Sequence, residues 1–457
     1  MNRNNLGASF RDPSGFLFTH NGKLYRQVNR SYCSDYDHFI ASGLYDRLVS
    51  KSLIIPHIET NEEPFDSELS YKVIEPVRLN FISYPYEWCF SQYKDAALTT
   101  LKIQRMALEF GMCLKDASAY NIQFYRGRPV LIDTLSFELW DENKPWVAYR
   151  QFCQHFLAPI SLMAYQDMRL GQLMRVYIDG IPLNLASRLL PAKTHFNLAL
   201  QLHIHLHASS QKRYANKPIN PGRKTFDRNA MLGLIENLES GIAHLKWKAP
   251  STEWGNYYDQ TNYPTTGLDA KGTIVAEYLD EIRPGLVWDL GANTGQFSQL
   301  ASQRNIPTLA FDIDPVAVEK CYLRIRKNKD EQLLPLLLDL TNPSPAIGWH
   351  NQERSSLSER GPAHTVMALA LIHHLAISNN LPLERVARSF SELGQWLIIE
   401  FVPKNDSQVQ HLLTTRQDIF PNYTPEGFEA AFEVFYEIRR IAKVPETNRC
   451  IYLMKKK

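Results

Sequence analysis

The chain has 457 residues, more than one ordinary core accommodates, so two domains are expected. A hydrophobic content of 44% and a charged content of 21% are typical of a soluble globular protein and do not indicate disorder. The net charge of +2 and the isoelectric point near 8.1 give no clear nucleic-acid signal, for which a domain value above about 9 is typical.

No targeting or membrane-spanning segment is predicted. The stretch from Met1 to Arg11 lacks the apolar core of a signal peptide, and no run of about 18 apolar residues occurs in the sequence. The six cysteines are scattered without a C-x-x-C pair, which favours neither a zinc site nor a disulfide framework. Reduced thiols and a cytoplasmic location are therefore expected.

The N-terminal part mixes predicted strands and helices. Apolar runs on both sides of Asn21-Gly22 predict a β-hairpin over 14–28, since this dipeptide favours the left-handed turn that tight hairpins need. Apolar residues at helical spacing predict helices over 35–53 and 96–111, and a strand is predicted over 71–79. An α+β domain over residues 1–210 is expected.

Acidic and amide side chains recur at a defined spacing between Leu114 and Asp133. Asp116 precedes Asn121 by five positions, and Asp133 follows a short predicted hairpin. This segment resembles the catalytic segment of protein-kinase-like phosphotransferases. The resemblance implies that Asp116 is catalytic, that Asn121 and Asp133 bind a metal ion, and that Mg²⁺ and a nucleotide are ligands of this domain.

The kinase-like resemblance is partial. Leu114 replaces the usual histidine, and neither a G-x-G-x-x-G loop nor a V-A-I-K-type lysine is recognisable. Arg26, on the predicted hairpin, is the candidate for the missing cation. The alternative is a hairpin whose Asp and Asn side chains only cap turns.

Residues 211–249 are predicted to contain a basic linker and an amphipathic helix. The segment 209–228 is polar, basic and rich in Pro and Gly, as is typical of a linker. Apolar spacing predicts a helix from Ala230 to Leu245. A second domain is expected over 250–457.

A glycine-containing turn follows the first predicted strand of this second domain. Apolar residues 286–288 lead into Asp289, then into Gly291-Ala292-Asn293-Thr294-Gly295, and residues 296–301 have helical periodicity. The two glycines leave room for a ligand to approach the backbone, and Asn293 tolerates the left-handed conformation that a middle glycine would adopt. Taken alone, this glycine pair is weak evidence for a ligand site.

A second strand, 307–311, ends at Asp312, about twenty residues after the glycines. An acidic side chain at this position accepts hydrogen bonds from both ribose hydroxyls of an adenosine ligand. Three more strands are predicted over 333–338, followed by Asp339, over 365–371, and over 396–403. An antiparallel pair over 434–441 and 450–454 completes the pattern.

This ordered set resembles the class I S-adenosylmethionine (SAM) dependent methyltransferases. More narrowly, residues 254–457 resemble a bacterial group of methyltransferases that includes nodulation-protein homologues. The resemblance implies an α/β, Rossmann-like sheet of seven strands with the last one antiparallel. It also implies a set of cofactor-binding residues: Asp289, Gly291, Ala292, Asn293, Gly295, Asp312, and Asp339 near the adenine.

The aromatic residues just before this core have two open interpretations. In the resembling family, a segment before the first strand folds over the cofactor, which makes Tyr258 and its aromatic neighbours candidate cofactor contacts. Alternatively, they pack the helix predicted over 271–282 onto the sheet.

His373 and His374 follow the fourth predicted strand, where the mouth of an active site is expected. They are candidate catalytic residues, although a His pair at this turn is also an ordinary structural feature of the fold. No N/D-P-P-Y motif and no Pro-Cys nucleophile follow this strand, which argues against exocyclic amines and pyrimidine C5 as acceptors.

The sequence therefore predicts methyl transfer from SAM to an unidentified acceptor, which could be a small molecule, a lipid-linked saccharide or a protein. Two alternatives remain open: a non-catalytic SAM-binding scaffold, and a phosphotransferase-like protein with a regulatory methyltransferase-like domain. The sequence does not fix the oligomeric state.

Overall fold

The computed structural model describes residues 3–142, 144–207, 227–250, 265–414 and 416–457. The chain divides into two compact units. The N-terminal unit contains Met1–Lys248 and Ala346–Arg354, and the C-terminal unit contains Ala249–Pro345 and Ser355–Lys457. Nine residues that lie late in the sequence thus belong to the first unit.

The first part of the N-terminal unit is a five-stranded antiparallel sheet in the order β1-β2-β3-β5-β4. Its strands are β1 (Arg3–Asn5), β2 (Gly15–His20), β3 (Lys23–Asn29), β4 (His57–Thr60) and β5 (Ser70–Pro76). Asn21 and Gly22 have φ values of 50° and 79°, so the predicted hairpin and its left-handed turn are confirmed.

Two helices, Cys33–Ala41 and Leu44–Ser50, separate β3 from β4. The sequence predicted one continuous helix here. Gly43 interrupts it because its φ of 85° lies in the left-handed region, which no helical residue adopts.

The rest of the N-terminal unit is mainly helical. A long helix, Phe90–Glu109, begins earlier than predicted because the Cys89 N–H donates to Gln92 Oε1 at 2.9 Å and caps its first turn. Two small antiparallel pairs follow: β6 (Met112–Leu114) with β9 (Phe137–Leu139), and β7 (Ile122–Tyr125) with β8 (Arg128–Leu131). Further helices are Tyr149–Phe152, Ala158–Tyr165, Leu173–Val176, Leu183–Leu189, Leu198–Leu200 and Arg228–His244, with π-helical turns at Cys153–Leu157 and Gln201–Leu206.

The helix predicted inside the linker packs on the N-terminal unit. Arg105, on the helix Phe90–Glu109, lies 3.3 Å from Glu236 and 2.5 Å from Glu239 of the helix Arg228–His244. Met231, Ile235, Leu238 and Ile242 form its buried face. Apolar residues at this spacing need a partner surface, so the helix belongs to the packed unit.

The C-terminal unit is built on a seven-stranded sheet in the order β12-β11-β10-β13-β14-β16-β15. Its strands are β10 (Val287–Leu290), β11 (Thr308–Asp312), β12 (Leu333–Leu337), β13 (Ala363–Ala368), β14 (Gly394–Phe401), β15 (Tyr436–Lys443) and β16 (Cys450–Lys456). The pairs among the first five are parallel, and β16 runs antiparallel to both its neighbours. The helices are Thr265–Ile282, Ser298–Ser302, Pro315–Asn328, Leu383–Leu393, Ser407–Leu413 and Pro425–Glu433, with a π-helical turn at His374–Ser378. The predicted strands are confirmed, with shifts of a few residues at their ends.

This strand order places β10 beside β13, where the chain changes its direction of travel across the sheet. Ligands of open parallel sheets bind outside the carboxyl ends of the strands at such a switch point. Among the described residues, no helix combines the length and the apolar character needed to cross a membrane.

Candidate functional site

A cavity of about 240 Å³ lies at the carboxyl ends of the parallel strands of the C-terminal unit. The residues after β10, β11, β12 and β13 and the first half of the helix Thr265–Ile282 form its walls. Of the predicted cofactor residues, Asp289, Gly291, Ala292, Asn293, Asp312 and Asp339 line this one cavity. Tyr258 and its aromatic neighbours lie outside the described residues.

The turn after β10 has the backbone that its glycines and asparagine predicted. Gly291, Asn293 and Gly295 have φ values of 72°, 51° and 74°, all in the left-handed region. A Cβ on Gly291 would lie 3.0 Å from Leu371 Cδ1, and a Cβ on Gly295 would lie 2.7 Å from Cys321 Sγ. Gly291 therefore permits close packing against Leu371 of the cavity wall, and Gly295 permits close packing of the helix that contains Cys321.

The buried Asp289 and the partly buried Asp312 lie near the carboxyl ends of β10 and β11. Asp289 accepts a hydrogen bond from Ser298 Oγ at 2.6 Å, and burial raises the pKa of Asp289 to about 7. The two Asp312 oxygens accept the N–H groups of Asn293 at 2.7 Å and Asp314 at 2.8 Å, and burial raises the pKa of Asp312 to about 6. Backbone donors thus fix the Asp312 carboxylate in one orientation beside the glycine turn.

Asp339 follows β12 on the same wall. Its Oδ1 accepts the backbone N–H of Thr341 at 2.8 Å and the Thr341 hydroxyl at 2.6 Å. These bonds form a tight turn that holds Asp339 and Thr341 against the cavity.

A buried ion-pair network that the sequence did not reveal adjoins the cavity. Lys271 lines the cavity, and its Nζ lies 2.6 Å from Glu400 Oε2 and 4.5 Å from the centre of the Phe297 ring. Arg449 lies 3.7 Å from Glu400 and forms a bidentate pair with Asp406 at 2.7 and 2.9 Å. Burial lowers the pKa of Lys271, and the Glu400 carboxylate opposes this effect.

The position of Lys271 on its helix is the feature of the sequence that could have indicated this ion pair. Lys271, Val275 and Leu279 follow one another at a spacing of four and are all buried. A lysine on the apolar face of an amphipathic helix needs a buried anion, and such pairs are frequent at functional sites. Glu400, near the end of β14, had no comparable signal in the sequence.

The two predicted catalytic histidines have different environments. His374 lines the cavity, and burial lowers the pKa of His374 to about 4. His373 lies behind it with the ring centres 4.0 Å apart, and its Nδ1 has no hydrogen-bond partner within the described part of the chain. Burial also lowers the pKa of His373 well below its ordinary value, so both rings are neutral at pH 7.

The three predicted kinase-like residues lie close together in the N-terminal unit. Burial, and secondarily the charge of Asp133, raise the pKa of Asp116, whose carboxylate also accepts hydrogen bonds from Asn121 and Gln151. Both aspartates accept the backbone N–H two residues further on, from Ser118 and Leu135, at 2.9 Å each. They therefore cap turns, as the alternative interpretation expected.

Arg26 on β3 occupies the space beside Asp133. Its guanidinium lies 2.5 Å from Asp133 and 3.3 Å from Asp12, and the side chain is 7% exposed. Within the described residues, no three His, Cys, Asp or Glu side chains are grouped to hold a metal ion. The candidate cation and the second predicted metal ligand thus form an ion pair with each other.

Comparisons with known proteins give one relative over nearly the full length. The chain is 33% identical to the nodulation protein NoeA of Rhizobium meliloti strain 1021, with 98% of this chain and 95% of that protein covered. No protein-family model matches the chain.

Solved structures match parts of the chain. The bifunctional kinase-methyltransferase WbdD matches with 15% identity and a TM-score of 0.30, over 44% of this chain and less than half of its own chain, 42%. Magnesium protoporphyrin IX methyltransferase (ChlM) of Synechocystis PCC 6803, with bound SAH, matches with 19% identity and a TM-score of 0.32. That match covers 45% of this chain and 93% of the ChlM chain.

Proposed function

The chain belongs to the family of the nodulation protein NoeA, and we propose that this member transfers a methyl group from SAM to an acceptor at the cavity of the C-terminal unit. The observation that carries the proposal is the wall of this cavity. A left-handed glycine turn follows the first strand, and an acidic residue ends each of the first three strands: Asp289, Asp312 and Asp339. An adenosine ligand needs this combination of open backbone and rigid carboxylates.

The donor set fits the parts of SAM. Asp312, held by two backbone N–H groups, retains lone pairs for the two ribose hydroxyls. Asp339 and Thr341 lie on the wall beyond it and would contact the adenine. Gly291 gives the turn its left-handed conformation, and a side chain there would meet Leu371 of the same wall.

Lys271 would bind the carboxylate of the amino-acid portion. It lies on the cavity wall next to Asp289 and Gly291. Its Nζ donates to Glu400 Oε2 at 2.6 Å, and its positive charge would attract a ligand carboxylate in the cavity. Glu400 and Arg449 fix the lysine in place, and such preorganisation lowers the cost of binding.

When bound, SAM supplies a methyl group activated on a sulfonium, and the protein mainly has to align the acceptor with it. His374 is neutral at pH 7 and lies on the cavity wall, where it can accept a hydrogen bond or a proton from the acceptor. The candidate acceptors are the classes that the sequence leaves open: a small molecule, a lipid-linked saccharide or a protein.

Calorimetry with the full-length protein and S-adenosylhomocysteine (SAH) tests cofactor binding. We expect one site per chain, and we expect Asp312→Ala to weaken it by at least about tenfold, because hydrogen bonds to a charged acceptor contribute about 1.5 to 3 kcal/mol. Asp269→Ala, on the exposed side of the helix Thr265–Ile282, is the control. Equal affinity in Asp312→Ala and wild type would contradict the proposed site.

Methyl-labelled SAM separates the enzyme from a non-catalytic scaffold. The protein is incubated with cell extract divided into small-molecule, lipid and protein fractions. We expect label to appear in one fraction with wild type and not with Asp312→Ala. Tight SAH binding with no labelled fraction would favour the scaffold.

A second proposal concerns the N-terminal unit, which we infer to have a kinase-like architecture. Two observations support it: the antiparallel order β1-β2-β3-β5-β4 with helices between β3 and β4, and the proximity of Asp116, Asn121 and Asp133. Protein kinases carry their phosphate-binding lysine on the third strand, and Arg26 lies on the third strand of this sheet. Asn121 and Asp133 would bind Mg²⁺ beside a nucleotide once Arg26 turns from Asp133 to the phosphates.

Calorimetry with ATP and Mg²⁺ tests this second proposal. We expect binding that Asp133→Asn weakens by about tenfold or more. Binding that is equal in the variant, or absent from wild type at millimolar ATP, would leave a unit without a nucleotide site.

A further inference from the structure

Residues 346–354, here called the clasp, form a loop that the C-terminal sheet does not need. They lie between β12 and β13 in sequence but belong to the N-terminal unit. The Leu357 N–H donates to the Ser344 carbonyl at 3.0 Å, so the chain on either side of the clasp is already closed at its base. The connection between the two strands would remain intact without the clasp.

The clasp is internally organised. Ile347 and Arg354 exchange backbone hydrogen bonds at 3.0 and 3.1 Å, and the Trp349 N–H donates to Glu353 Oε1 at 2.7 Å. Gly348 has a φ of 88°, and a Cβ there would lie 2.6 Å from the Glu353 Cβ. These constraints present Glu353 and Arg354 in a fixed arrangement.

Glu353 contacts the loop between β1 and β2. Its side chain is 5% exposed, and its Oε1 accepts two N–H groups of Arg11, at 2.6 and 3.0 Å. A Cβ on Gly7 would lie 2.5 Å from the Gln352 carbonyl oxygen, so the two backbones approach as closely as only glycine allows.

Arg354 contacts a different part of the N-terminal unit. Its guanidinium lies 4.5 Å from the centre of the Tyr120 ring, a distance typical of a cation–π contact. Tyr120 is anchored through its hydroxyl, which donates to the Met174 carbonyl at 2.8 Å, and it directly precedes Asn121. The clasp thus joins the β1–β2 loop to the segment that carries Asn121.

We propose that the N-terminal unit has a peptide-binding surface formed by the Gly7–Arg11 loop and Tyr120, and that its ligand is this chain's own clasp. The charges and shape of this surface complement those of the clasp. Arg11 binds the Glu353 carboxylate, the Tyr120 ring faces the Arg354 guanidinium, and Gly7 admits the backbone at Gln352. The clasp is a separable ligand, because its base is closed and its own hydrogen bonds shape it. This proposal does not depend on methyl transfer.

Excision and replacement in trans test the proposal. Residues 346–354 are replaced by two glycines in the full-length chain, and a fluorescein-labelled peptide with the sequence of 345–355 is titrated into it. We expect the peptide to bind the excised chain, and to bind the intact chain at least about tenfold more weakly because its own clasp occupies the surface. Equal binding to both chains, or none to a folded excised chain, would overturn the proposal.

Matched variants test the contacts. A peptide with Glu353→Gln should bind the excised chain about tenfold more weakly, since it removes the charge from a buried carboxylate that accepts two N–H groups of the half-exposed Arg11. Arg11→Met in the excised chain should have the same effect, whereas Arg47→Met, at an exposed arginine distant in sequence, should have none. A Glu353→Gln peptide that binds like the parent would contradict the assigned contacts.

Hydrogen exchange on the intact protein is an independent measurement if the excised chain does not fold. Arg11→Met leaves every residue of the clasp unchanged but removes its ion-pair partner. We expect amide exchange within 346–354 to accelerate about tenfold relative to wild type and to Arg47→Met. An unchanged rate would mean that the surface does not hold the clasp.

Discussion

The two units of this protein hold their carboxylates in different ways. In the C-terminal cavity, Asp289 and Asp312 accept hydrogen bonds from a hydroxyl and from backbone N–H groups, and burial raises their pKa values to about 7 and about 6. In the N-terminal unit, Asp133 and Asp12 form ion pairs with Arg26. The donors to Asp289 and Asp312 are neutral, whereas the partner of Asp12 and Asp133 is a cation.

Under the two proposals, the C-terminal site binds its ligand directly, whereas the N-terminal site has to rearrange first. A carboxylate that faces a cavity with neutral donors can accept further hydrogen bonds without losing any. An aspartate paired with an arginine has to exchange that cation before it binds a metal ion. The comparison therefore predicts different responses to mutation in the two units.

The largest effect is expected when the N-terminal ion pair is broken. Arg26→Met leaves Asp12 and Asp133 without their cation, which should destabilise the N-terminal unit by about 3 kcal/mol in denaturant unfolding. The partly exposed pair of Arg105 with Glu239 supplies the control, since Arg105→Met should cost less than about 1 kcal/mol. Similar losses of stability in both variants would mean that Arg26 has no special role in neutralising Asp12 and Asp133.

The next effect concerns the open wall of the C-terminal cavity. Gly291→Val should weaken SAH binding by at least about a hundredfold, because the side chain strains a backbone with φ of 72° and contacts Leu371 at the cavity. Some loss of stability accompanies it, since the added Cβ would meet Leu371 rather than a ligand alone. Gly22→Val has the same backbone strain in open space, and SAH binding should be unchanged there.

A smaller effect should distinguish the part of the cavity that binds the amino-acid portion from the part that binds the adenosine. Lys271→Met should weaken SAH binding about tenfold but leave 5′-methylthioadenosine unaffected, because this analogue lacks the amino-acid carboxylate. The substitution removes one ion-pair partner of Glu400 and leaves Arg449 in place. Circular dichroism and thermal unfolding therefore check that the variant still folds. Equal losses for both ligands would show that the lysine supports the cavity without contacting the amino-acid portion.

The smallest effect is a pH dependence. The ribose hydroxyls donate to the charged form of Asp312, so binding lowers the pKa of Asp312 from its unliganded value of about 6. SAH affinity should therefore be constant above about pH 7 and fall as the pH decreases through the unliganded pKa, by about twofold at pH 6. Asp312→Asn should remove this dependence from calorimetric titrations. A profile that is flat in wild type would argue against hydrogen bonds to a charged Asp312.

The sheet and the turn could be predicted because local sequence encodes them. Apolar runs that end in Asp289, Asp312 and Asp339 mark buried parallel strands, and Gly291 with Asn293 marks the left-handed turn. The sequence also shows that the helix Arg228–His244 is amphipathic. It does not show which surface covers the apolar face, because the basic segment before the helix suggests a linker.

The rest of the site depends on contacts between distant segments. Lys271 and Glu400 are 129 positions apart, and only the folded sheet brings them together. The clasp has neither helical nor strand periodicity, so its pairing with Arg11 could not be predicted. Arg26 was predicted as a cation for the kinase-like site, but not as the partner of Asp133.

The clasp also affects how the N-terminal unit can be completed. Its residues follow Lys248 by about a hundred positions, so a ribosome making about 5 to 20 residues per second delivers them roughly 5 to 20 s after the rest of that unit. Until then Arg11 has no Glu353, and the β1–β2 loop lacks its partner. For the same reason, no single truncation of the gene yields the whole N-terminal unit by itself: a fragment that ends between residues 248 and 345 omits the clasp, and a longer one includes part of the C-terminal unit.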